Sequence, residues 1–84
     1  MENEVKGRTK KIKTPIELYI IGSVKQRREE QGFTQEALSF ALNFNHAFVS
    51  NRENGTKTYN SNHLNKIAKI LKCSPKDFWP NEPI

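Results

Sequence analysis

One cysteine, four glycines and one tryptophan in 84 residues exclude several architectures before any pattern is read. The lone Cys73 cannot close an internal disulfide. With His46 and His63 on other segments, no H-x-x-x-H or C-x-x-C spacing is present to hold a metal. Cys73 follows Leu71 at the end of an apolar stretch, the setting of a buried structural thiol rather than a reactive one. The glycines are too few and too scattered for a phosphate-cradling loop, so no cofactor is expected. Serine or cysteine hydrolysis would need a base beside the nucleophile and a pocket, and an enzyme is not expected either. Long apolar runs are also missing: there is no secretory core and nothing approaching a membrane span, which predicts a cytoplasmic chain. Acidic residues are few, nine against fourteen Lys and Arg, and the net charge of +5 favours a polyanionic partner. Apolar content of 35% over this length predicts one small domain with a modest core, leaving no second domain for catalysis or ligand sensing.

What the chain does contain is concentrated in residues 34–55, TQEALSFALNFNHAFVSNRENG. Thr34 can cap a helix in which Ala37, Leu38, Ala41 and Leu42 recur at helical spacing. Asn43 enters the left-handed region at low cost, so the chain can reverse there and restart with Asn45 as the next cap. A second helix is predicted over 46–53. Phe44 and Val49 supply its apolar side, and His46, Ala47, Ser50 and Asn51 are left facing outward. Two short helices joined by a polar turn and closed by Gly55 form the layout of a helix-turn-helix.

The flanks are helical as well. Thr14-Pro15-Ile16-Glu17 predicts a capped start, with Leu18, Ile21 and Val24 as an apolar stripe continued by Arg28, and Gly32 as the stop. A fourth helix is predicted from Leu64, Ile67, Ala68 and Leu71, after candidate caps Asn60, Ser61 and Asn62. Ser74-Pro75-Lys76-Asp77 announces a short fifth helix that Pro80 ends. Phe78 and Trp79 are expected to cover the bundle, the alternative being a dimer contact formed by both with Ile84. Residues 1–13 carry five basic side chains and almost no aliphatics, which predicts a flexible basic arm, either a solvating leader or a strap along a DNA groove.

Gln35, Leu38, the polar turn, Val49-Ser50 and Glu53-Asn54-Gly55, followed by LNKIAKILKCSPKDFW, resemble the phage-repressor and Cro-like helix-turn-helix family, also called the XRE family, across about residues 15 to 80. The resemblance implies an all-α, compact five-helix, lambda-repressor-like bundle over residues 14–84. It further implies double-stranded DNA as partner, a homodimer on that DNA, and a role as a transcriptional regulator, specifically a repressor. An antitoxin-type module that neutralises a partner toxin and autoregulates its operon is the alternative. In the first role His46, Ala47, Ser50 and Asn51 face bases, with Asn51 suited to adenine, Ala47 to a thymine methyl and His46 to guanine. Gln35, Asn45, Asn54, Thr56, Lys57 and Thr58 face the DNA backbone, and Gln35 also braces His46. The resemblance pairs Arg28 with Glu53. Three positions depart from the family pattern: Ser39 for alanine, Asn43 for glycine and Arg52 for an aliphatic residue. Arg52 shares a face with Val49 and is expected to lay its stem on the bundle and turn its guanidinium outward, so that leucine would replace it without loss.

Overall fold

The structure, a computed structural model, describes residues 13–84; the expected arm lies outside the described residues except for Lys13. Four α-helices follow one another: α1 (Pro15–Glu30), α2 (Gln35–Ala41), α3 (Phe48–Glu53) and α4 (Ser61–Leu71). The expected fifth helix is a single 3-10 turn, Pro75–Phe78, and no strand occurs among the described residues. Pro75 and Pro80 explain the shortfall. Between them only one turn can form, because Pro80 has no N–H to donate and disfavours helical backbone in the residue before it.

Local chemistry sets the other boundaries. The Thr14 hydroxyl accepts from the Glu17 N–H at 3.3 Å while the Glu17 carboxylate accepts from the Thr14 N–H at 2.9 Å, a closed capping box. Those hydrogen bonds to Thr14 also hold the Glu17 carboxyl below its ordinary pKa. Asn60 and His63 form the same device at the start of α4, where the Asn60 side chain accepts at 2.8 Å and His63 Nδ1 accepts at 3.1 Å. Helix α1 ends where Gly32 takes φ 81°. The Gly32 and Phe33 N–H groups then satisfy the carbonyls of Glu29 and Arg28.

The core contains Val24 of α1, Leu38 and Leu42 of α2 and its cap, Phe48 and Val49 of α3, Leu64, Ile67, Ala68 and Leu71 of α4, and Phe78. Several expected members are outside it. Leu18 is exposed, since at 3.6 residues per turn it sits about 90° around α1 from the mean direction of Ile21, Val24 and Arg28. Ala37 and Ala41 are exposed too, and Ser39 is buried in their place. Alanine tolerates either face of a helix, so the true inward direction of α2 runs through Leu38, Ser39 and Leu42. Phe78 closes the bundle, whereas Trp79 stays 42% exposed. Cys73 is half-buried against the core, and desolvation pushes its thiol pKa up.

Candidate nucleic-acid interface

Helices α2 and α3 are joined by a turn that is fixed at every step. Asn43 adopts φ 66° as expected, and the N–H groups of Asn43 and Phe44 return to the carbonyls of Phe40 and Ser39 at 2.9 and 3.0 Å. The Asn45 side chain then accepts from the Ala47 N–H at 3.0 Å. Regular helix starts only at Phe48, so His46 and Ala47 occupy the lead-in turn and not the helix predicted over 46–53. Asn45 closes a two-residue Asx-turn, which shapes the approach to α3 without extending it.

Ala47, at the head of α3, offers no capping side chain. Ser39 supplies what is missing from across the turn. Its buried hydroxyl donates to the Gln35 carbonyl at 2.9 Å and accepts from the Val49 N–H at 3.0 Å. One hydroxyl therefore satisfies an orphan donor of α3 and fixes that helix against α2. Ser39→Ala is expected to cost ~1–3 kcal/mol, because the Val49 N–H would stay buried without an acceptor. Urea unfolding checks this, and a loss below about 0.5 kcal/mol would show that α3 needs no such anchor.

The far end of α3 is tied to α1. Arg28 donates through Nε to Glu53 Oε2 at 2.7 Å and through Nη2 to Oε1 at 3.1 Å, while Nη1 donates to the Phe33 carbonyl at 2.7 Å. The two side chains are 8% and 5% exposed, so this is a buried bidentate pair. Its hydrogen bonds to Glu53 raise the Arg28 pKa. Gln35 joins the same group: its amide nitrogen donates to Glu53 Oε1 at 2.7 Å. The expected brace onto His46 is thus replaced by one onto Glu53, although Gln35, His46, Thr34, Glu36 and Ser50 line one open recess. A carboxylate is the stronger acceptor, and it lies where α1, α2 and α3 meet.

Beneath α3 lies an aromatic floor. The Phe48 ring stacks on Phe44 with centroids 4.3 Å apart, and the His63 ring meets it edge-on at 4.8 Å. Tyr59 lies 6.1 Å away, and burial first, then the charge on Glu53, pushes its phenol pKa up. Burial, Arg52 and Lys66 all lower the His63 pKa, which favours the neutral ring whose Nδ1 caps α4. Sequence reasoning passed over Phe48; its four-residue spacing from Phe44 was the available signal. Arg52 does not point outward. Its guanidinium carbon sits 3.8 Å from the Phe48 centroid, Nε donates to the Thr58 carbonyl at 3.2 Å and Nη1 to the Phe48 carbonyl at 3.2 Å. Facing an aromatic ring and two acceptors, the guanidinium gains more by folding back than by full hydration.

The remaining predicted residues lie on α3, in its lead-in turn and in the loop that follows it. His46 is exposed, and Ala47, Ser50 and Asn51 are half-exposed. The Ser50 hydroxyl donates to the Ala47 carbonyl at 3.2 Å, which leaves its oxygen able to accept. In the following loop the Thr56 N–H is shared by the Asn51 carbonyl and the Asn54 side chain, and the Lys57 N–H reaches the Asn51 carbonyl at 3.1 Å. DNA contacts from these residues would come from side chains, since the two N–H groups are occupied. Thr56 and Thr58 are half-exposed, and Asn54 and Lys57 are exposed.

A short helix laid across a second by an αL turn, locked at both ends and followed by a hydrogen-bonded polar loop, defines a helix-turn-helix domain. The chain belongs to the helix-turn-helix family, of the XRE type, whose sequence pattern matches residues 24–78. It is 31% identical over 51 residues to the control protein C.BamHI of Bacillus amyloliquefaciens, covering 61% of this chain and 63% of that relative's length. In structure it is similar to the restriction-modification controller protein C.AhdI of Aeromonas hydrophila, with TM-score 0.67 and 21% identity over 74% of this chain and 90% of the other. The fold also recurs within a longer protein, the hydroxypropylphosphonic acid epoxidase of S. wedmorenis, with TM-score 0.71 and 25% identity over 81% of this chain but 36% of the enzyme. The family is one of DNA-binding regulatory domains. No helix among the described residues is long and apolar enough to cross a membrane, and those residues contain no cluster of three or more potential metal ligands.

Proposed function

We propose that the protein is a sequence-specific transcriptional regulator that reads the major groove of double-stranded DNA with α3 and its lead-in turn, acts as a repressor and binds as a homodimer. The observation that carries this reading is the fixing of α3 at both ends: Ser39 anchors its start, and Arg28, Glu53 and Gln35 anchor its end. His46, Ala47 and Asn51 are the base-facing residues, with Ser50 in support. Asn51 can pair with adenine N6 and N7, and Ala47 can meet a thymine methyl. Gln35, Asn45, Asn54, Thr56, Lys57 and Thr58 hold the flanking phosphates. Likeness to a control protein and to a restriction-modification controller favours gene control over neutralisation of a toxin. One α3 contacts few base pairs, so two half-sites about one helical turn apart are expected, and exposed Trp79 and Ile84 offer apolar surface to a second copy. Phe78, wholly buried, drops out of that surface.

Selection of bound duplexes from a random pool, followed by titration of Asn51→Ala, tests the reading. The variant is expected to lose ~1–3 kcal/mol on the selected duplex and almost nothing on unrelated DNA. Equal losses on both would remove Asn51 from base reading. A wild-type chain that enriches no duplex would leave the toxin-neutralising alternative.

A further inference from the structure

We propose that Arg52 is a positioning residue for phosphate contact: it clamps the loop after α3 so that Lys57 moves as one body with the reading helix. The proposal rests on the DNA-binding reading above. Lys57 is held on both sides by consecutive residues of α3. Its own N–H donates to the Asn51 carbonyl at 3.1 Å, and the carbonyl of the next residue, Thr58, accepts from Arg52 Nε at 3.2 Å. The other end of the guanidinium is fixed as well, by Nη1 on the Phe48 carbonyl at 3.2 Å and by the Phe48 ring at 3.8 Å. Arg52 thus joins the first turn of α3, its last turn and the far side of the loop.

An aliphatic residue at position 52 could still lie on Phe48, but it would leave the Thr58 carbonyl untethered. A lysine could not replace the clamp, because an ammonium lacks the planar fork that spans two carbonyls while stacking on a ring. The consequence is a fixed register. Asn51 is the proposed base reader, its carbonyl holds the Lys57 N–H, and its neighbour Arg52 holds Thr58, so the phosphate contact sets where Asn51 meets the bases. Without the clamp the loop would have to be ordered at the moment of binding, and that ordering would be subtracted from affinity.

The test compares wild type with Arg52→Leu, Arg52→Lys, Lys57→Ala and Arg52→Leu/Lys57→Ala. Each is titrated on a selected and an unrelated duplex over a range of KCl, well below its own melting temperature and with its folded fraction measured. Lys57→Ala should flatten the slope of log K against log salt by about 0.9 and weaken binding about fivefold at 0.15 M salt. Arg52→Leu should weaken both duplexes by about two- to tenfold, the expected cost of ordering a long side chain and its loop. Arg52→Lys should behave like Arg52→Leu, and the double variant should lose less than the product of the two single losses, because the loosened loop no longer has a Lys57 contact to misplace. If the two single factors multiply in the double variant, or if lysine restores wild-type affinity, Arg52 acts through its charge or independently of Lys57 and the proposal is overturned. A wild-type chain that binds no duplex at all would sink the DNA-binding reading and this proposal together.

Discussion

Arg28→Ala and Glu53→Ala are each expected to cost ~3–5 kcal/mol of folding stability, because each leaves the other charge buried without its bidentate partner. For a domain of this size that is a large part of a total stability of about 5–15 kcal/mol. With the Glu53 side chain 5% exposed, removal of Arg28 leaves the carboxylate only the Gln35 amide among the partners seen here. In the reverse case Arg28 keeps the Phe33 carbonyl and the carboxylate of Glu29, 3.7 Å from its Nη2. Urea unfolding of both single variants and the double variant measures the pair directly, and a coupling energy of about 0.5–3 kcal/mol is expected. Coupling near zero would mean that the two charges do not depend on one another. Folding should fail before base recognition does, since neither side chain belongs to the base-facing set.

The second large effect is expected at Phe48. Phe48→Ala should cost ~3–5 kcal/mol through lost burial and the cavity left behind. The residue is 7% exposed, and the rings of Phe44, Tyr59 and His63 and the guanidinium of Arg52 all pack against its ring. Arg52 would then keep its carbonyl partners but lose the surface on which it lies. Urea unfolding with near-ultraviolet circular dichroism reads both stability and aromatic packing. A loss below about 1 kcal/mol would show that α3 is held by its two anchors alone and that the aromatic floor adds little.

Local chemistry was the kind of information legible in the chain. The capping box at Thr14–Glu17, the candidate cap Asn60, the stop at Gly32 and the left-handed Asn43 each depend on a few adjacent residues. A short window contains the whole of that chemistry. The core of α4 was legible for a related reason: Leu64, Ile67, Ala68 and Leu71 share one stripe at one period. The inward direction of α2 was less legible, because exposed Ala37 and Ala41 imitate an apolar face while Ser39 looks like a surface residue until its hydroxyl is seen beneath Val49.

By itself the sequence determined an all-helical chain of the XRE-type helix-turn-helix family, the order of its helices and the junction of α2 with α3, because caps, turns and periodicity act over three or four residues. Tertiary structure alone decided that α3 starts at Phe48, that the fifth element is a single turn with Trp79 outside it, and that Gln35 braces Glu53 and not His46. It also decided the direction of Arg52. A guanidinium beside the core can be hydrated or can fold inward, and the outcome here depended on a ring four residues earlier and a carbonyl six residues later, brought together by the bend at Gly55. Helical periodicity does not report on a partner beyond a turn, so that choice was made only when the loop closed.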